Sequence, residues 1–118
     1  FKDISVTPLQ WDYIIIGMEN VVHSLKGTAR KISENITYRM AGKTGTAQVY
    51  GIKQDEEATE TEETPYELRD HALFIAFAPV ESPQIAVAVI AEHGGGGSKT
   101  AAPIARKVLD GYFGNSTP

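Results

Sequence analysis

Four consecutive residues, Lys43-Thr44-Gly45-Thr46, hold the densest chemistry in the sequence. Lys43 brings a fixed positive charge. Thr44 and Thr46 bring hydroxyls that share one side of a strand, because strand side chains repeat every second residue. Gly45 has no side chain, so a ligand backbone could lie flat against the chain there. Together they describe an edge that pairs with an extended peptide and holds a carboxylate at one end. Peptide addition to a sheet edge is a recurring recognition mode.

Two other segments invite a chemical reading and lose it on spacing. Gly94-Gly95-Gly96-Gly97-Ser98-Lys99-Thr100 approximates a phosphate-binding loop between a strand and a helix. However, Ser98 occupies the final glycine position of G-x-x-x-x-G-K-[ST], and His93 occupies the first. A flexible turn before a capped helix accounts for the same residues. His23, His71 and His93 are scattered, with no H-E-x-x-H or comparable ligand spacing. No metal and no cofactor are therefore expected. His71, after Arg69-Asp70, reads as a structural residue at a strand start.

The elements that must position Lys43 to Thr46 follow from hydrophobic periodicity. Leu9 to Lys26 is predicted helical, with Ile14, Met18, Val21, Val22 and Leu25 as its apolar stripe and Gly27 as its stop. Tyr38 to Tyr50 is predicted as a strand. Gly42 and Gly45 interrupt it, which fits close approach of a ligand or another backbone. His71 to Ala78 and Gln84 to Glu92 are predicted as an antiparallel pair turning at Pro79, Ser82 and Pro83. Ser98 or Thr100 caps a final helix, whose buried face would be Ala101, Ile104, Ala105, Val108, Leu109 and Tyr112. Gly114 ends it. The order gives an α+β fold, an antiparallel sheet packed by helices. Neither later strand alternates with polar residues, so both sheet faces are expected to be covered. Three strands and two helices are too few for that, and material before Phe1 is expected to supply the rest.

Bulk properties narrow the class. The chain has 118 residues, enough for one domain, and 42% of them are hydrophobic. There is no cysteine, hence no disulfide or thiolate site. The net charge is −4, and Asp55, Glu56, Glu57, Glu60, Glu62 and Glu63 concentrate it. Gln54 to Thr64 is therefore predicted to be an acidic mobile loop. No basic stripe suits nucleic acid, so no nucleic-acid partner is expected. No apolar run reaches the ~18 residues of a membrane helix, and the stretch after Phe1 is not expected to be a signal peptide. Without an initiator Met, the chain is expected to be a fragment of something longer.

Lys43-Thr44-Gly45 resembles the K-T-G motif of penicillin-binding proteins and class A β-lactamases. The longer likeness is to class B penicillin-binding proteins of the elongation type. Tyr38 to Gly51 resembles their K-T-G strand. Leu68-Arg69-Asp70-His71, Phe77-Ala78-Pro79, Glu92-His93-Gly94-Gly95 and the stretch from Gly17-Met18 to Gly27-Thr28-Ala29 are similar as well. The resemblance spans nearly all the chain except the acidic loop. Residues 1–118 would form a C-terminal portion of the transpeptidase domain.

The resemblance implies roles. Lys43 would set the electrostatics and hold the proton network near a nucleophile. Thr44 and Thr46 would bind the carboxylate of a donor peptide or a β-lactam, and the Thr46 N–H would form half of an oxyanion hole. The Gly94 to Thr100 loop would lie near the substrate end of that strand. The implied activity is peptidoglycan D,D-transpeptidation through a serine acyl-enzyme. The implied partners are peptidoglycan stem peptides, β-lactams and the inner-membrane elongation machinery with its glycosyltransferase. The location would be the periplasmic face of the inner membrane, reached through an N-terminal anchor outside this sequence. The sequence departs from the family where the nucleophile should be. No Ser has a Lys three residues later, and Thr28-Ala29-Arg30-Lys31 offers the spacing with the wrong residue. Ser33-Glu34-Asn35 spells S-x-N but lies too close to Lys43. The isolated chain is thus expected to be inactive. The alternatives are a non-catalytic peptide-binding or interaction module, or a serine β-lactamase fragment.

Overall fold

The computed structural model describes residues 2–49 and 64–114. Helix α1 spans Pro8–His23 and strand β1 spans Ala41–Ala47. Strands β2, His71–Ala78, and β3, Ile85–Ala91, precede helix α2, Ala101–Phe113. Short 3-10 turns occupy Arg30–Ser33 and Tyr66–Leu68. The strands form one antiparallel sheet in the order β1-β2-β3, so the α+β reading holds. The acidic segment lies outside the described residues apart from Thr64.

Helix α1 starts where local chemistry says it should. The Thr7 hydroxyl accepts the Gln10 N–H at 3.3 Å and the Gln10 side chain accepts the Thr7 N–H at 2.9 Å, with Pro8 in the first turn. It stops three residues short of the predicted Lys26, because Ser24 turns extended. Leu25 therefore leaves the apolar stripe and is 85% exposed, while Val22 is fully buried. Gly27 serves a different purpose from the predicted stop. A Cβ there would overlap the Val21 carbonyl oxygen and lie 2.5 Å from that of Asn20. This close return lets the Ala29 N–H satisfy the Val21 carbonyl at 3.0 Å.

Strand β1 is shorter than the predicted Tyr38 to Tyr50. Before it, the Met40 N–H goes to Nε2 of His23 at 3.1 Å instead of to a ladder partner. After it, the Val49 N–H goes to the Asp70 carboxylate at 3.3 Å. One sheet face carries Ala72, Phe74, Ala76 and Ala78, all buried against the core that Ala101, Ala105 and Leu109 of α2 complete. The opposite face leaves Ile75 51% and Ile90 67% exposed. Among the described residues, then, only one sheet face is closed, as expected of three strands and two helices.

Helix α2 buries only part of the predicted stripe, namely Ala101, Ala105 and Leu109. Ile104, Val108 and Tyr112 are exposed, while Arg106 and Asp110 are buried. The reason is polar. The Arg106 Nε donates to both Asp110 carboxylate oxygens at 2.8 Å, and its Nη1 donates to the carbonyls of Ile32 and Glu34. The Tyr38 hydroxyl also donates to Asp110 at 2.8 Å. Burial, followed by this hydrogen bond to the carboxylate, pushes the Tyr38 hydroxyl far above its ordinary range. Gly114, left-handed at φ +71°, closes the helix as predicted.

Candidate functional site

The register of β1 decides which side chains converge. Thr44 sits opposite Phe74 and Thr46 opposite Ala72, so both threonines belong to the face shared with Ala72 and Phe74. Lys43 and Gly45, opposite Ile75 and Leu73, belong to the other face. The two hydroxyls are brought together as predicted. Lys43 is exposed on the opposite face, and its Nζ donates to the Thr44 carbonyl at 2.6 Å. The ammonium is thus tied to the strand backbone beside the hydroxyls instead of standing among them. Strand β1 is the edge of the described sheet, and Thr46 and Ala47 are exposed.

The two strand glycines separate in purpose. A Cβ on Gly42 would lie 2.5 Å from the Phe74 ring, so this glycine seats a core aromatic and not a ligand. Gly45 faces Leu73, where a Cβ would make a 3.3 Å contact. Its other face is taken by Gly97. A Cβ on Gly97 would overlap the Leu73 carbonyl oxygen and lie 2.6 Å from that of Gly45. The Gly94 to Gly97 segment therefore reaches the K-T-G strand, as the resemblance implied, but it is not a flexible break. The Gly94 N–H bonds to the Ala91 carbonyl, the Gly95 N–H to that of Asp70, and the Gly97 carbonyl accepts the Ala102 N–H. Thr100 precedes α2 without capping it, and its hydroxyl donates to the Gly94 carbonyl at 2.7 Å.

Thr28 is the neighbour that sequence reasoning missed. Its hydroxyl lies 3.4 Å from that of Thr44. The available signal was Gly27, whose tight return against α1 carries Thr28 toward β1. Ser33-Glu34-Asn35 proves structural. The Ser33 hydroxyl donates to the Arg30 carbonyl at 2.7 Å, and the Glu34 carbonyl accepts from Arg106. His71 locks the strand start, since its Nδ1 accepts the His93 N–H at 2.9 Å and the two rings pack edge to face. Among the described residues, no group of three or more His, Asp or Glu is placed to hold a metal. No described helix is long and apolar enough to cross a membrane.

The sequence profile of the penicillin binding protein transpeptidase domain matches residues 2–110. The chain belongs to the penicillin-binding-protein transpeptidase family. Within that family it is similar to the peptidoglycan D,D-transpeptidase MrdA of Haemophilus influenzae. The identity is 47% over 108 residues, covering 92% of this chain and 16% of that protein. The MrdA of Escherichia coli K12 is 41% identical over 100 residues, covering 85% of this chain and 16% of its own. Among solved structures, Pseudomonas aeruginosa PBP2 in complex with WCK 5153 superposes with a TM-score of 0.75 at 44% identity, covering 94% of this chain and 21% of that one. Helicobacter pylori PBP2, solved in complex with MreC, gives 0.70 at 30% identity, covering 91% and 18%. The chain is thus a class B, PBP2-type penicillin-binding-protein sequence with a partial transpeptidase fold. It spans about 16% of the length of the curated relatives it matches.

Proposed function

We propose that this chain is the C-terminal, K-T-G-bearing portion of the transpeptidase domain of a peptidoglycan D,D-transpeptidase. The observation that carries the reading is the exposed edge strand with two threonine hydroxyls on one face, in a chain of this family. Thr44 and Thr46 bind the terminal carboxylate of the donor stem peptide, along the edge of β1 that stays unpaired among the described residues. The Thr46 N–H supports the developing oxyanion, and Lys43 sets the positive potential of the strand. The nucleophilic serine lies in polypeptide outside these 118 residues. Its hydroxyl attacks the penultimate carbonyl of the donor, the terminal D-alanine leaves with the serine proton, and an acyl-enzyme forms. The amine of a second stem peptide then attacks the acyl carbon and restores the serine. β-Lactams mimic the donor; a Mycobacterium tuberculosis relative, 30% identical with a TM-score of 0.61, was solved as a penicillin G acyl-enzyme.

The full-length protein works at the periplasmic face of the inner membrane with the elongation machinery and its glycosyltransferase. The MreC complex of the Helicobacter pylori relative supports that placement. Labelling with a fluorescent penicillin tests the reading. The full-length protein is expected to form one covalent adduct per molecule, and the 118-residue chain alone is expected to form none. A stoichiometric adduct on the chain alone would place a nucleophile within it. No adduct on the full-length protein would remove the transpeptidase reading.

A further inference from the structure

A second concavity adjoins the threonine face, and its charge is one-sided. Lys26, Arg30, Lys31 and Lys99 line a cavity of about 470 Å³ together with Thr28 and Ser98, and no acidic residue lines it among the described residues. They converge from three segments: the return after α1, the 3-10 turn at Arg30–Ser33, and the loop before α2. The Arg39–Glu19 and Arg106–Asp110 ion pairs involve none of these four cations. Arg30 is fixed at the wall by donating to the Leu25 carbonyl at 3.2 Å. In a chain of net charge −4, four cations around one hollow run against the overall balance. A concavity lined by one sign of charge focuses the field and raises the local concentration of counter-ions.

Thr28 ties this basin to the K-T-G strand. It lines the cavity, and its hydroxyl lies 3.4 Å from that of Thr44. We propose that the basin is a second anion subsite, which takes the side-chain carboxylates of a peptide whose terminal carboxylate sits at Thr44 and Thr46. The identity of that peptide rests on the transpeptidase reading; the preference for an acidic peptide rests on the basin alone. Because all four cations are exposed, the preference is expected to weaken with salt.

The test uses the full-length protein and two fluorescent pentapeptides ending in D-Ala-D-Ala. One carries two side-chain carboxylates and its twin carries both as amides. By fluorescence polarisation at low salt, the acidic peptide is expected to bind about tenfold more tightly, the sum of several weak exposed ion pairs. The triple variant K26Q/K31Q/K99Q is expected to erase that advantage while labelling by fluorescent penicillin stays at the wild-type level. The control K2Q/K107Q, outside the basin, is expected to keep it. Equal binding of the twins by wild type, an advantage that survives in the triple variant, or an equal loss in the control would each overturn the proposal. If the triple variant loses penicillin labelling, K99Q alone decides: an advantage cut about threefold with labelling intact supports the subsite, and an undiminished one overturns it. A wild-type protein that does not label with penicillin, yet shows a basin-dependent acidic preference, would remove the transpeptidase reading and leave the subsite standing.

Discussion

The two halves of one short segment, Met40 and the strand β1 that follows it, are built to opposite specifications. From Met40 to Gly42 the chain is buried, and Met40 and Ala41 are fully so. From Lys43 to Ala47 it ranges from half-buried to exposed. The first half is fixed by its surroundings: His23 receives the Met40 N–H, the Val80 N–H meets the Arg39 carbonyl, and Phe74 fills the space over Gly42. Among the described residues, the second half has β2 on one edge, Gly97 on one face and the Thr28 hydroxyl beside that of Thr44. A recognition edge must leave its own groups open, so its position has to be set by neighbours. The buried half and the glycine loop supply that positioning.

The largest test of this division removes the anchor ahead of the strand. Asp110→Ala leaves the Arg106 guanidinium buried without this carboxylate and takes the acceptor from the Tyr38 hydroxyl. Breaking a buried ion pair from one side costs about 3–5 kcal/mol. Denaturant unfolding is expected to show a loss of that order. Asp110→Asn, which keeps a hydrogen-bond acceptor, is expected to lose less. A loss under about 1 kcal/mol for the alanine variant, the range of an exposed pair, would show that the anchor is dispensable.

The glycines come next and sharpen the contrast. Gly97→Ala pushes a methyl into two backbone carbonyl oxygens, of Leu73 and Gly45, which cannot rotate away. Gly42→Ala meets mainly the Phe74 ring, which has room to adjust only by disturbing the core. Overpacking of this kind costs about 1–3 kcal/mol. Gly97→Ala is expected at or above the top of that range and Gly42→Ala within it, by thermal unfolding. Gly97→Ala is also expected to slow penicillin labelling, because it displaces Gly45 between the two threonines. Equal labelling by both variants would break the assignment of Gly97 to the open half.

Much of this layout was legible in the sequence. The strand pair His71 to Ala78 and Gln84 to Glu92 was readable within one residue at each end, because long apolar runs broken by prolines leave few alternatives. What was not legible depended on partners distant in sequence. Apolar periodicity placed Ile104, Val108 and Tyr112 inside, yet α2 is turned so that Arg106 reaches the carbonyls of Ile32 and Glu34. Those acceptors are more than seventy residues away, and no local pattern announces them. Likewise, four glycines in a row read as freedom. Only the sheet beneath them shows that Gly97 is there for close packing. At the site, type and spacing gave the threonine pair, whereas Thr28 entered through a backbone return that periodicity does not describe.

A smaller effect should separate function from stability. Thr46→Ala removes an exposed hydroxyl, so unfolding is expected to shift by less than about 0.5 kcal/mol. A hydrogen bond to a charged group is worth about 1.5–3 kcal/mol, so the penicillin acylation rate is expected to fall at least about tenfold. Thr44→Ala is expected to fall similarly while costing somewhat more stability, since Thr44 is half-buried against Thr28. Unchanged acylation in both variants would leave the open half without its proposed role.

The smallest expected effect is a pH slope, and it reads the buried half directly. Burial, and then the Arg39 charge, hold His23 below its ordinary pKa of 6.5, while Glu19 pulls the other way. In the folded protein the neutral ring accepts the Met40 N–H. The unfolded chain therefore binds the proton more readily, and stability must rise with pH across the interval between the two values. This contribution is full above 6.5 and is lost as the pH falls from 6.5 toward the lower folded value. His23→Gln keeps an acceptor for Met40 but does not titrate, so its unfolding free energy is expected to show a shallower slope below 6.5 than wild type. Glu19→Gln removes the opposing charge and is expected to steepen that slope. If His23→Gln left the slope unchanged, the first amide of the buried half would not depend on the neutral ring, and His23 would drop out of the set of residues that fix the strand.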